Sequence, residues 1–182
     1  MRFLLSFLSF LLISSCNDKS DLLKSIDCPQ NHFFNLETIE DVKKSFSVQF
    51  PDHWKTNLYY DENQSSIYAA DTTKQLTKSM LLDITSVSKK ITFDTLFVKK
   101  YKENLRQQNL KEIFAKELNF QNNKAYYSKA IGKKRSFDYH IVNIFVAISQ
   151  NHYIHGKIEV YGDSLVSQRI CEGLHLIEKI KY

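Results

Sequence analysis

Apolar and polar residues alternate strictly at the start of the main part of the chain. In residues 46–50, with the sequence FSVQF, every second side chain is apolar, which predicts a strand with one buried face. Pro51 ends that strand, and residues 67–71 and 80–87 are the next strand candidates. Residues 36–44 fit either a short helix or an extended arm, and their pattern does not distinguish the two.

A helical period replaces the alternation in residues 93–108. Phe97, Tyr101 and Leu105 recur four residues apart and share one face of a helix, while lysines and an arginine occupy most of the rest. Asp94 stands where its side chain can act as the N-cap. This segment is therefore predicted to lay its apolar stripe on a sheet.

Two hairpins are predicted after this helix, and the first turns at Asn122-Asn123. It joins residues 113–120 to residues 124–131, and pairing across the turn places five apolar side chains on one face. They are Phe114, Leu118, Phe120, Tyr127 and Ile131. That face is expected to be buried.

The second hairpin turns at Gln150-Asn151 and joins residues 137–149 to residues 152–161. The pairs expected in this register are His140 with Tyr161, Phe145 with Gly156, and Val146 with His155. The face expected to meet a helix carries Ile141, Asn143, Phe145 and Ala147 from one strand and Ile154, Gly156, Ile158 and Val160 from the other. The opposite face is expected to be only partly covered.

A C-terminal helix is predicted from about Ser164, which is expected to cap it. Its apolar stripe consists of Val166, Ile170, Gly173, Leu174 and Ile177. A glycine in mid-helix costs up to about 1 kcal/mol relative to alanine, so close packing on the sheet would explain Gly173. Together these elements predict an α+β fold, an antiparallel sheet of about six strands sandwiched by helices.

The first sixteen residues resemble a bacterial lipoprotein signal with its lipobox. Arg2 precedes an apolar run, residues 3–13, that is too short to span a membrane, and Ser14-Ser15-Cys16 follows. The resemblance implies lipidation of Cys16 and cleavage before it. A plain secretory signal with an incidental cysteine is the alternative. Residues 1–15 would then be the signal peptide, 16–44 the lipidated cysteine, tether and lead-in, and 45–182 the folded domain.

Anchoring by lipid implies a location in the bacterial cell envelope. Asn17 differs from the aspartate that retains many enterobacterial lipoproteins in the inner membrane, which favours the outer membrane, on its periplasmic or exposed side. Without Arg2, 24 basic residues would face 20 acidic ones. That bias is too small to indicate a nucleic-acid partner, and an extracytoplasmic location also argues against one.

Acylation of Cys16 would leave two cysteines, Cys28 and Cys171. Extracytoplasmic compartments permit disulfides, so a bridge between these two is a candidate. The alternative is a pair of free thiols, with Cys171 buried on the last helix and Cys28 in a loop.

The opening strand, followed by Pro51 and by Trp54, resembles the start of the PsbP-like superfamily, which includes DcrB-like bacterial lipoproteins and a Ran-binding nuclear import factor. The order of elements over residues 45–182 supplies most of the resemblance. It implies an α/β/α sandwich around an antiparallel sheet. It also implies roles in binding partners or assisting complexes rather than in catalysis.

No residues form a recognisable catalytic or metal motif. A Gly-x-Ser-x-Gly sequence, a phosphate loop and calcium spacing are all absent, so no catalytic residue, cofactor or metal is predicted. His152 and His155 are three residues apart in a strand and point to opposite faces, which argues against a shared metal ion.

A polar and aromatic patch is the remaining candidate site. The predicted register places His140 and His155 on one face, with Tyr153, Glu159 and Tyr161 nearby. Trp54 is a further candidate contact residue. The patch is either an interaction surface or simply a solvated sheet face. Two functions follow: a membrane-anchored module that binds another envelope protein, and a carrier with a small-ligand pocket between sheet and helices. The oligomeric state is left open.

Overall fold

The structure, a computed structural model, describes residues 20–182. In chain order the elements are α1 (Asp21–Ser25), β1 (Leu36–Glu40), β2 (Ser47–Pro51), β3 (Lys55–Tyr60), β4 (Gln64–Ala70), β5 (Leu81–Val87), α2 (Thr95–Gln107), β6 (Leu110–Phe120), β7 (Asn123–Lys134), β8 (Phe137–Ser149), β9 (His152–Tyr161) and α3 (Val166–Ile177). Seven strands form one sheet in the order β3-β4-β5-β9-β8-β7-β6, and β1 pairs with β2 separately. All pairs are antiparallel, which confirms the predicted class.

The long sheet lies between two helical layers. On one side, called the α3 side, α3, α1 and the β1–β2 pair enclose the main core with apolar residues of β4, β5, β7, β8 and β9. On the other, the α2 side, α2 packs over β6, β7 and β8. This is the α/β/α arrangement that the sequence predicted.

Two glycines allow α3 to lie directly on β9. A Cβ atom at Gly173 would come within 2.9 Å of Ile158 Cδ1, and one at Gly156 within 3.1 Å of Ile177 Cδ1. The first distance is shorter than real Cβ contacts, so a larger residue would require the Ile158 side chain or the helix to shift. Close packing therefore explains Gly173, as predicted.

Several local predictions are confirmed, and others need correction. Asp94 caps α2, since its Oδ1 accepts a hydrogen bond from Phe97 N at 2.8 Å. Residues 36–40 form a strand, which decides between the two alternatives in favour of the extended arm. Ser164 does not cap α3, because the cap position is Leu165 and carries no side-chain hydrogen bond. The sheet also gains β3, a strand that the sequence pattern did not predict.

The folded unit begins earlier than the expected boundary at residue 45. Leu22 and Leu23 of α1 are buried in the main core, and Ser20 Oγ accepts a hydrogen bond from Leu23 N at 3.3 Å. Residues 20–25 are therefore part of the domain rather than a spacer. Residues 1–19, including Cys16, lie outside the described residues. No helix in residues 20–182 is long and apolar enough to cross a membrane.

The first hairpin has the expected faces although its turn is displaced. The turn residues are Gln121 and Asn122, both with positive φ, instead of Asn122-Asn123. Phe120 pairs with Asn123, which moves the register by two residues from the predicted one. A shift by two preserves which side chains share a face, so the predicted apolar face remains on the α3 side. Phe120 and Tyr127 are buried there as expected, whereas Phe114 is 43% exposed.

The second hairpin has the expected turn, but its faces are reversed by a β-bulge. Ser149 pairs with His152 as predicted, whereas Ala147 pairs with Tyr153, so Ile148 is the extra residue. Beyond the bulge the register differs from the prediction by one residue. The pairs are His140 with Val160, Ile144 with Gly156, and Phe145 with His155. A one-residue shift exchanges the two faces of one strand relative to the other.

A disulfide joins the two ends of the folded unit. Cys28, just after α1, is bonded to Cys171 of α3, and both residues are buried. The bond closes a loop with a sequence separation of 143 residues. For a loop of this length the chain-entropy model gives about 4–5 kcal/mol, and measured losses are usually smaller.

We expect the double variant C28S/C171S to lose about 2–4 kcal/mol of unfolding free energy relative to the oxidised protein. Urea denaturation of both proteins, with and without reductant, measures the difference. Reductant should lower the stability of the parent protein only. Equal stabilities of parent and variant without reductant would contradict the bridge. Reduction should also add one hydrogen to each sulfur, about 2 Da in total, and the absence of this mass increase would contradict the bridge as well.

Candidate functional site

A groove runs between α2 and the floor formed by β8 and β9. Its volume is about 630 Å³, and its lining combines aromatic, amide and basic side chains. This size falls within the range of small-molecule sites, roughly 300–1,000 Å³. It is the site that the elements on the α2 side build together.

Aromatic rings fasten α2 to the sheet and form the inner wall of the groove. Phe97 and Tyr101 each meet Phe145 edge to face, with ring centroids 5.4 and 5.5 Å apart. Both rings also contact Tyr126 of β7. Edge-to-face pairs add about 0.5–1.5 kcal/mol each beyond burial, so this wall is well fixed.

A chain of hydrogen bonds crosses the floor of the groove. Asn143 Nδ2 donates to Tyr101 Oη at 2.9 Å, and Asn143 Oδ1 lies 2.8 Å from His155 Nε2. Because that oxygen can only accept, His155 Nε2 carries the hydrogen and Nδ1 keeps a lone pair. The imidazole also stacks on Phe145, with ring centroids 4.2 Å apart.

Burial shifts the pKa values of the two titratable side chains in this row of hydrogen bonds. Desolvation lowers the pKa of His155 to about 4, although Asp83 acts in the opposite direction. Desolvation also raises the pKa of Tyr101 to about 12. Both side chains are therefore neutral at pH 7. The floor of the groove offers hydrogen-bonding and stacking groups rather than charges.

A cluster of paired charges continues from the groove along the sheet. Lys157 Nζ lies 2.7 Å from Asp83 Oδ2 and 3.3 Å from Glu159 Oε1, and Lys134 Nζ lies 3.2 Å from Glu159 Oε2. Tyr161 Oη donates to the same Glu159 oxygen at 3.0 Å. Burial alone would raise the pKa of Glu159, but Lys157 and Lys134 outweigh burial and hold that pKa below its ordinary value.

Strands β3, β4 and β5 leave an uncovered surface on the α2 side, here called the open face. Tyr59 and Tyr68 lie on it edge to face at 5.5 Å, and 57% and 39% of their surfaces are exposed. Ser66 Oγ and Thr85 Oγ1 are 2.8 Å apart beneath them, and Thr85 donates to Asp83 at 3.0 Å. The open face thus combines exposed aromatic rings with a fixed polar base.

The structure does not assemble the predicted patch as one surface. Tyr153 and His155 line the groove, and Tyr161 lies on the same side within the charge cluster. His140 lies on the α3 side, because the bulge at Ile148 reverses the faces. Trp54 packs against the main core and stacks on Phe50 with ring centroids 6.1 Å apart.

Three important residues were missing from the predicted site: Asn143, Lys157 and Asp83. A usable signal existed for Asn143, since it is the single amide in an otherwise apolar alternation from Ile141 to Ala147. A buried polar residue in such a row needs a partner. Nothing in the local pattern links Asp83 with Lys157, because the pair forms only when β5 and β9 align.

The two histidines of the His-x-x-His sequence point to opposite sides, as predicted. His152 Nε2 lies 2.8 Å from Ser86 Oγ on the α3 side, whereas His155 is bonded to Asn143 on the α2 side. Among residues 20–182, no group of three or more His, Cys, Asp and Glu side chains is arranged to hold a metal ion.

Solved structures show the same fold at very low sequence identity. Cyanobacterial PsbP (CyanoP) from Synechocystis is 10% identical, with a TM-score of 0.60 and coverage of 85% of this chain and 96% of that one. The Ran-binding protein Mog1p of Saccharomyces cerevisiae is also 10% identical, with a TM-score of 0.56 and coverage of 82% and 96%. A Bacteroides thetaiotaomicron protein is 12% identical, with a TM-score of 0.51 and coverage of 81% and 48%.

The chain therefore has the PsbP-like fold, as its sequence pattern suggested. No family model matches its sequence, and no curated protein matches it either. Identities near 10% show the fold alone, so the activity has to be argued from the residues of the site.

We expect the pH dependence of stability to become shallower in the variant His155→Gln. The pKa of His155 is about 4 in the folded protein, below an unfolded value near 6.5, so the unfolded chain takes up the proton first as the pH falls. The unfolding free energy of the parent should therefore fall by about 2 kcal/mol more than that of the variant between roughly pH 7 and pH 4.5.

Glutamine keeps a donor for Asn143 while removing the titration, so the folded structure should persist. Urea denaturation across this pH range measures the slope of the unfolding free energy against pH. His32→Gln is the matched control, because His32 is exposed and lies outside the groove, and it should leave the slope unchanged. Identical slopes for the parent and His155→Gln would contradict a neutral buried His155.

Proposed function

We propose that this chain is a bacterial lipoprotein, anchored in the outer membrane through Cys16, that acts as a non-catalytic binding module for another envelope protein. The lipobox-like sequence at residues 13–16 supports the anchor. The PsbP-like fold, shared with a protein described as Ran-binding, is consistent with a role in protein binding.

The open face is the observation that carries this proposal. Tyr59 and Tyr68 are exposed aromatic residues on a rigid sheet, and tyrosines are enriched at the energetic centres of protein interfaces. The polar groups beneath them are already paired, so binding would not require burying an unpaired charge. A protein partner can therefore cover this surface at a small desolvation cost.

The position of the N-terminus supports presentation of the open face to a partner. Ser20 and α1 lie on the α3 side, and the four steps from Cys16 to Ser20 can span at most about 14 Å. A lipid on Cys16 would hold that side of the domain close to the membrane. The open face lies on the opposite side of the sheet and would point toward other envelope proteins.

Lipidation itself is tested by the variant Cys16→Ala in cells fed an alkyne-bearing palmitate. The parent protein should incorporate the label and remain with the membrane fraction. The variant should lose the label and leave that fraction, because a sulfur is required for diacylglyceryl attachment. The matched control Ser15→Gly should keep both properties. Equal labelling of parent and Cys16→Ala would overturn the anchor.

The protein partner is tested by site-specific photocrosslinking in cells. A photoreactive amino acid replaces Tyr68 on the open face and, as the matched control, exposed Ser167 on α3. We expect one discrete adduct from position 68 that is absent from position 167. The same pattern of adducts from both positions, or none from either, would reject the open face as the interface.

A second candidate function is that of a small-ligand carrier, and the groove favours it. The groove adjoins the open face at Lys157, whose Nζ lies 5.8 Å from the Tyr68 ring centroid, and it has the volume and mixed lining of a small-molecule site. A carrier would retain a ligand there whether or not a protein binds the open face. The two candidates are separable because their surfaces do not coincide.

A further inference from the structure

We infer that the groove between α2 and β9 binds a small organic anion with a flat aromatic body. The inference rests on the second candidate function, the small-ligand carrier, and specifies its ligand class. It assigns the body of the ligand to the aromatic floor and its negative group to two lysines at the rim.

The charge of the lining selects an anion. Three lysines line the groove, Lys89, Lys100 and Lys157, and no aspartate or glutamate lines it. Lys157 is already neutralised by Asp83 and Glu159. Among residues 20–182, neither Lys89 nor Lys100 lies within 4.0 Å of a carboxylate oxygen. Asp94 interacts with Lys100 electrostatically but makes no close ion pair with it and does not line the groove, so the two ammonium groups still give the groove a local positive potential.

The rings that line the groove favour a ligand with a flat apolar part. Phe97 and Tyr153 line the groove on either side of the His155 imidazole, which itself stacks on the buried ring of Phe145. His155 is uncharged at pH 7, so it does not attract the anionic group inward. The geometry therefore orients the ligand, with its ring on the floor and its negative group at the mouth beside Lys89 and Lys100.

Two other grooves of comparable size lack this separation of charge and ring surface. The groove beside the disulfide, about 460 Å³, combines Lys129 with Asp27 and Glu172. The groove near His140, about 720 Å³, combines Lys133 with Asp138 and Asp163. Mixed charges of this kind give no net preference for an anion.

The test is calorimetric titration of residues 20–182 with three probes of equal ring size. They are 2-naphthoate, the neutral 2-naphthalenemethanol and the cationic 2-naphthylmethylammonium. The double variant K89M/K100M removes the two rim charges. K90M/K99M is the matched control, since Lys90 and Lys99 are the exposed neighbours of those lysines and do not line the groove.

We expect 2-naphthoate to bind most tightly and K89M/K100M to weaken it about tenfold, which corresponds to about 1.4 kcal/mol. K90M/K99M should retain the parent affinity for 2-naphthoate to within about twofold. Tyr153→Ala should weaken both the anionic and the neutral probe, because it removes ring surface from the floor.

The outcomes distinguish the inference from the carrier function on which it rests. Equal binding of all three probes, or equal losses in the two double variants, would overturn the anion preference and leave a carrier function in place. No binding of any probe would overturn both. The photocrosslinking result at Tyr68 is independent of either outcome.

Discussion

The pairing of β8 with β9 determines the character of both sides of the sheet. The bulge at Ile148 brings residues 154, 156, 158 and 160 of β9 to the α3 side together with the even-numbered residues of β8, and these four positions of β9 carry only aliphatic side chains and a glycine. The odd-numbered residues of β9 all reach the α2 side, including His155, Lys157 and Glu159. One side of the same strand thus holds the domain together, while the other carries the groove and the charge cluster.

Charged side chains can occupy the centre of this sheet because each has partners in place. Moving an ion out of water costs several kcal/mol, which only good geometry offsets. Lys157 meets Asp83 from β5 and Glu159 from its own strand, and Lys134 reaches the remaining oxygen of Glu159. These contacts join β5, β7 and β9, so the polar region beside the groove is as well determined as the apolar core.

The sequence predicted the fold class, α2 with its cap, and both hairpins, because their periods and turn residues are local signals. It could not predict the bulge at Ile148, because no residue type marks a bulge there. This single extra residue made the predicted side of the sheet for His140 wrong. The first hairpin tolerated a displaced turn, since a shift of two keeps the faces. Leu22 and Leu23 were overlooked because a five-residue helix is too short to show a period.

The disulfide also defines how the domain would bear mechanical load. Cys28 and Cys171 connect the first helix directly to the last, and α3 lies flat on β9 through Gly156 and Gly173. Tension between a membrane-held N-terminus and a partner on the open face would pass from α1 through the covalent bond into α3 and then across the sheet. The β1–β2 pair lies outside this path, because the chain enters β1 only after Cys28 and the disulfide transfers the load to α3 before it reaches that pair.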